Sequence, residues 1–161
     1  MNAVAERAVE AMGFLVAAVR QVPSQSWDQP SNLDGWSIRG LVEHTTGSAA
    51  KLVALAGGQT SEATDDLQQL AVRLKDAVAT TDPDTPLSFP IVGLTIHAWD
   101  VYESQHQPAK VPDDLLAFCR QVVESVPEDE LRRPGLFGAA KPVPEDATPT
   151  VRFMAYVGRS A

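Results

Sequence analysis

The sequence predicts an all-α protein built mainly from four amphipathic helices. In four or five segments, apolar residues recur every three or four positions, which is the spacing of one helix face. No segment shows a convincing strand pattern, and the connections are turns of moderate length rich in Pro, Asp and Ser. Helices joined in this way are typical of an antiparallel bundle, and we expect an extra helix and an irregular C-terminal wrap in addition.

The first two helices are predicted in the N-terminal third of the chain. The first covers residues 3–22 and ends at Pro23, since proline cannot continue a helix. A polar loop follows at 24–35. The second helix is expected to begin after Ser37 as N-cap and to run to residue 56, where Gly57 and Gly58 end it.

The remaining helices are separated by proline-rich turns. The third is predicted at 63–80 and starts among the acidic residues Glu62, Asp65 and Asp66, which the helix dipole favours. The fourth covers 89–104 with Ser88 as its cap, the fifth runs from Pro112 to residue 126, and a short one lies at 150–157. The segment between them, 128–149, is expected to wrap without regular structure. We expect one domain, 1–161, with 128–161 as an extension packed on the bundle.

Composition excludes several classes of partner. A net charge of −8 over 161 residues repels a phosphate backbone and an anionic membrane surface. The longest near-apolar run, 12–19, is well below the ~20 residues that a membrane span needs.

The single cysteine, Cys119, forms no internal disulfide, so a reducing cytoplasm is the expected location. Cys119 itself is expected to be a small buried hydrophobe.

Two histidines are the residues most suggestive of chemistry. His44 lies in the second predicted helix, off the centre of its apolar face, and His97 lies in the very apolar fourth. With Gly93 and Asp100, His97 forms one narrow polar seam, which is either the solvent face or the lining of a polar cavity. Because imidazole is a common metal ligand, a His on each of two helices suggests a divalent-metal site. The alternative is two surface histidines that never meet. His106 lies in a polar loop and is expected to be exposed without a role.

Other catalytic signatures are absent from the sequence. It contains no glycine-rich nucleotide motif, no nucleophile elbow and no Cys-x-x-Cys pair. Trp27, Trp36 and Trp99 are expected to be core or cap residues, with Trp36 holding the loop against the start of the second helix.

Two motifs bring a family resemblance. The segment PSNLDGWSIRGLVEH at 30–44 resembles the PTPC-x-x-W-x-V-R-x-L-x-x-H segment of the actinobacterial, DinB-like maleylpyruvate isomerase family. TIHAWD at 95–100 is similar to its V-H-x-W-D helix. The segments at 137–147 and 152–159 are similar to the tail of a branch known chiefly as metal-binding proteins. These matches follow a consistent order along nearly the whole chain.

The resemblance implies a DinB-type four-helix bundle with one metal site, most simply zinc, between the second and fourth helices. His44 and His97 match two of the family's ligands. The third, a Glu or Asp four residues before the second His, is replaced here by Gly93, and the loop cysteine is replaced by Leu33. Two imidazoles alone hold zinc weakly. Asp100 either joins the metal ligands or orients His97.

The resemblance also implies two functions that remain open. Characterised relatives use zinc-bound water or thiolate with mycothiol to isomerise an unsaturated diacid, so one expectation is a thiol-dependent isomerase or transferase acting on a small molecule. Those relatives carry a further C-terminal domain, which this chain is expected to lack. The other expectation is a non-catalytic ligand-binding or interaction module, dimeric through a helical face, with a degenerate metal site.

Overall fold

The computed structural model describes residues 2–58 and 66–160, and all the regular structure in these ranges is helical. The only strand-like feature there is an isolated bridge between Pro30 and Ser37. The all-α prediction is therefore confirmed. The helices are α1 (Ala3–Arg20), α2 (Ile38–Leu55), α3 (Leu67–Val78), α4 (Ser88–Ser104), α5 (Asp113–Glu124), α6 (Glu128–Leu131) and α7 (Pro149–Tyr156).

Contacts divide the chain into two compact units, and the first, Met1–Ala109, holds α1 to α4. In this unit α4 packs against α1 and α2, and α3 packs against the same two helices. The C-terminal ends of α1 and α4 lie together, because the Gln105 side chain donates a hydrogen bond to the Ala18 carbonyl at 3.2 Å. This arrangement is consistent with the four-helix bundle of the DinB type.

The core of this unit follows from the composition of its helices. α4 is apolar over most of its circumference and is the most deeply buried, with Trp99 only 2% exposed. α1 presents small residues to its neighbours, and Ala8, Ala11 and Ala18 are fully buried. Small side chains on one helix let the large side chains of the next fill the space between them.

Helix starts depend on local capping, which was predicted correctly for α2 and incorrectly for α4. Ser37 caps α2, and its hydroxyl accepts a hydrogen bond from the Gly40 amide at 3.0 Å. Ser88 was expected to cap α4, but it is the first helical residue. The N-cap is Leu87, which is only 3% exposed and makes no side-chain cap bond. Burial of Leu87 therefore sets where α4 begins.

The third helix begins later than predicted. Asp66 is its N-cap and accepts a hydrogen bond from the Gln68 amide at 2.9 Å, so α3 starts at Leu67. The predicted first turn, with Glu62 and Asp65, lies outside the described residues. An aspartate cap supplies the acceptor that a helix N-terminus lacks, and it places negative charge at the positive end of the dipole.

The second unit, Lys110–Ala161, contains α5 to α7, with α5 packed against α7. The short helix α6 corrects the expectation that the segment 128–149 lacks regular structure. Arg132 organises this wrap: its guanidinium donates hydrogen bonds to the Gly138 and Tyr156 carbonyls and lies 4.9 Å from the Tyr156 ring centroid. The single domain over 1–161 remains a prediction.

No helix in the described part of the chain is long and apolar enough to cross a membrane.

Candidate functional site

A tight turn at residues 31–36 precedes α2 and forms one side of the site. The Ser31 amide donates to the Trp36 carbonyl at 2.8 Å, and the Trp36 amide donates to the Leu33 carbonyl at 3.2 Å. Gly35 has a φ of +83°, a conformation that a residue with a Cβ rarely adopts. These bonds fix both ends of the turn, and therefore Asn32 and Trp36, relative to each other.

The structure brings His44 of α2 and His97 of α4 together. Their ring centroids are 5.0 Å apart, and the ring planes are inclined at 85°. The alternative of two surface histidines that never meet is therefore wrong. His44 is exposed and His97 is partly buried, so the pair lies at the edge of the bundle rather than in its centre.

Asp100 lies beneath this pair and is completely buried. Its Oδ2 is 3.3 Å from His97 Nδ1, and its Oδ1 accepts a hydrogen bond from the Asn32 side-chain amide at 2.9 Å. Ser104, one turn further along α4, bonds the Asn32 backbone amide at 3.0 Å. Of the two explanations for the polar seam, the solvent face is wrong for Asp100, whose carboxylate points toward the turn.

The surroundings of His44 favour its neutral form. Partial burial lowers the pKa of His44 below its ordinary value of 6.5, and electrostatic repulsion from His97 and Lys51 lowers it further. The Trp36 ring contacts the other side of His44, at 5.0 Å between centroids and 80° between planes. A neutral imidazole retains a nitrogen lone pair, which is the form that binds a metal.

Among the described residues, no third side chain of a metal-binding type joins the two imidazoles as a further ligand. Gly93 lies one turn before His97, and a Cβ built on it would meet no atom within 4 Å. Among residues 2–58 and 66–160, no three His, Cys, Asp or Glu side chains come together in a group that could hold a metal ion. The site is therefore a pair of imidazoles beside an open space.

Two residues of the site were not predicted from the sequence. Trp36 was expected to be a core or cap residue, but it is 41% exposed and contacts His44. Asn32 was not singled out, although it lies in the segment that carries the family motif. The only signal for Asn32 was its place in that loop, since its partner Asp100 is far away in sequence.

Comparison with known proteins identifies the family. The model of the mycothiol maleylpyruvate isomerase N-terminal domain matches residues 8–88, half of the chain. The chain belongs to this family. The part that matches the mycothiol maleylpyruvate isomerase N-terminal domain includes α1 from residue 8 onward, all of α2 and α3, and His44. It ends at the first residue of α4, before His97. No curated protein and no solved structure matches the chain.

Proposed function

We propose that His44 and His97 bind a divalent metal ion, most simply zinc, at the edge of the bundle. The observation that carries this proposal is the separation of 5.0 Å between their ring centroids. Two imidazoles bound through nitrogen to one tetrahedral zinc, with Zn–N of about 2.0–2.1 Å, also have centroids about 5 Å apart. Membership of the mycothiol maleylpyruvate isomerase N-terminal domain family supports the same location.

The donor chemistry of the pair fits such an ion. Asp100 accepts from His97 Nδ1, so Nε2 of His97 is the nitrogen that would face the metal. A carboxylate bonded to the far nitrogen of a ligating histidine fixes its tautomer and its ring orientation. In this proposal Asp100 orients His97 and is not itself a ligand, because both of its oxygens already have partners.

The open space over Gly93 is where a further ligand would enter. A metal bound here would lower the pKa of a thiol or water bound beside it. We propose a thiol as this partner, with mycothiol the candidate that the family suggests, and a small electrophilic molecule as the substrate. Lys51 near His44 and the exposed Trp36 ring would border the bound molecule, and buried Asp100 would hold His97 in place.

The first test is metal binding by protein purified without a histidine tag. We expect one equivalent of Co²⁺ or Zn²⁺ in calorimetric titration, with His44→Ala and His97→Ala each weakening binding more than about tenfold, that is, by more than about 1.4 kcal/mol. Lys110→Ala, at an exposed position in the other unit, is the control. Binding that is absent, or unchanged in both histidine variants, would contradict the proposal.

A second candidate is a ligand-binding or interaction module without catalysis. The observation favouring it is the replacement of the acidic ligand by Gly93, which leaves only two imidazoles in the described site. The two candidates differ in turnover. Mycothiol-dependent consumption of unsaturated diacids by metal-loaded protein supports the enzyme, whereas metal binding without turnover over a broad panel supports the module.

A further inference from the structure

The turn at residues 31–36 reaches both histidines, His44 by direct contact and His97 through Asp100. At its C-terminal end the Trp36 ring lies against His44, with 5.0 Å between centroids. Near its N-terminal end Asn32 donates a hydrogen bond to Asp100, which in turn bonds His97. The turn is therefore in contact with the His44 ring directly and with the His97 ring through one buried carboxylate.

Hydrogen bonds within the turn connect its two ends. The Ser31 amide bonds the Trp36 carbonyl at 2.8 Å, and the Ser31 hydroxyl and the Leu33 backbone are 3.1 Å apart. The Asn32 backbone is fixed to α4 by Ser104 at 3.0 Å, and the Ser104 hydroxyl is also 3.1 Å from Asn32 Oδ1. Asn32 thus has both its backbone and its side chain held while it donates to Asp100.

We propose that Asn32 is a positioning residue for His97, acting through Asp100, and that this turn sets the orientation of both histidines. A buried carboxylate needs hydrogen-bond donors to stay in one position, and the Asn32 amide supplies one of them. With Oδ1 occupied by Asn32, Oδ2 is the oxygen that faces His97 Nδ1. Nδ1 then carries the proton, and Nε2 keeps the lone pair. The inference concerns His97 geometry, and its consequence for metal affinity rests on the proposed function.

The test uses ¹⁵N NMR of the histidine side chains in metal-free protein, because the chemical shifts report the tautomer of each neutral ring. In Asn32→Ala we expect the Nδ1–H tautomer of His97 to lose population. Asn32→Asp keeps the size and the turn-forming side-chain oxygen but replaces the N–H donor by an acceptor, so it is expected to shift His97 as well. Asp34→Asn, an exposed change within the same turn, should leave the His97 shifts unchanged.

A second readout is the affinity for Co²⁺. Loss of an orienting partner behind a ligating histidine typically costs about 10–100-fold in metal affinity, and we expect this loss in Asn32→Ala but not in Asp34→Asn. A His97 tautomer that is unchanged in both folded Asn32 variants would overturn the inference. Failure of the wild-type protein to bind Co²⁺ would overturn the proposed function alone, since the tautomer measurement would still decide the role of Asn32.

Discussion

Nδ1 of His97 lies 3.3 Å from Oδ2 of Asp100, one helical turn further along α4. The carboxylate is fully buried, whereas the His97 side chain is 22% exposed. The acceptor therefore sits inside the bundle, whereas the ring that it contacts is partly exposed and lies 5.0 Å from the His44 ring, between centroids. The His44 ring contacts the rings of Trp36 and His97. Its pKa is lowered mainly by burial and then by repulsion from His97 and Lys51.

His44 is expected to titrate below its ordinary pKa of 6.5 in metal-free protein. Burial disfavours the charged ring, and His97 and Lys51 add repulsion. Replacing Lys51 by Met removes its positive charge, and replacing His97 by Gln removes the ring whose repulsion lowers the pKa of His44, so each change should raise that pKa. The measurement is the ¹H–¹⁵N titration of His44 with a chelator present. A pKa of His44 at or above 6.5 in the wild type would contradict this electrostatic account.

The same shift makes folding stability depend on pH. Because the pKa of His44 is depressed in the folded state, the unfolded chain binds this proton more readily. Its contribution to the free energy of unfolding is therefore present above about pH 6.5 and is lost as the pH falls toward the depressed pKa. Urea unfolding across this range should show a smaller loss of stability in His44→Gln than in the wild type.

Gly93→Ala is expected to stabilise the protein by about 0.5–1 kcal/mol, because Ala has the higher helix propensity and its Cβ would meet no atom within 4 Å. Gly58→Ala is the matched contrast. A Cβ at Gly58 would lie 2.6 Å from Val53 Cγ1 and 3.2 Å from the Val53 carbonyl oxygen. We expect this variant to lose about 1–3 kcal/mol. The measurement is the urea midpoint of each variant relative to the wild type. Shifts in the same direction for the two variants would be inconsistent with the described packing.

His106 ends α4 in the left-handed conformation, with a φ of +56°. The His106 amide bonds the Glu103 carbonyl at 2.9 Å, and the Gln107 amide bonds the Tyr102 carbonyl at 3.2 Å, which is a Schellman cap. Glycine adopts this conformation without the Cβ penalty, so His106→Gly should raise the free energy of unfolding by about 0.5–1 kcal/mol. Gln107→Gly, at a residue with negative φ, should give no such gain.

Helix positions were predictable because they depend on local periodicity and on caps such as Ser37, which is confirmed. One boundary that failed coincides with tertiary burial: Leu87 is packed into the core, and α4 starts one residue early. The short helix α6 has a single buried residue, Leu131, and a segment this short shows little periodicity.

The site was predictable only in part, because some of its contacts are local in sequence and others are long-range. His44 and His97 lie on helices whose faces can be calculated, and the family resemblance related them to each other. The partners of the pair come from a turn: Asn32 reaches Asp100 across 68 positions of sequence, and no helical spacing encodes that contact. Trp36 resembles a capping aromatic in sequence, and only the fold shows that its ring lies against His44.

Cys119 is expected to resist thiol reagents in the folded state. It is fully buried in α5, as the sequence predicted, and burial blocks the access of a reagent to the thiol. Reaction with a chromogenic disulfide should be slow in buffer and complete in denaturant. Rapid stoichiometric reaction without denaturant would show that this helix opens readily or that the thiol is accessible.

Gly93→Glu is expected to restore a third metal ligand and to tighten Co²⁺ binding more than about tenfold. Position 93 is one turn before His97 on the same face of α4, and the space beside it is open, so a carboxylate can extend toward the pair. Gly93→Gln is the control, because it has the same length without the charge that favours a cation. The measurement is the Co²⁺ isotherm together with the visible d–d spectrum, which strengthens when coordination is tetrahedral. Equal affinities for the Glu and Gln variants would show that position 93 does not face the metal, even if His44 and His97 bind it.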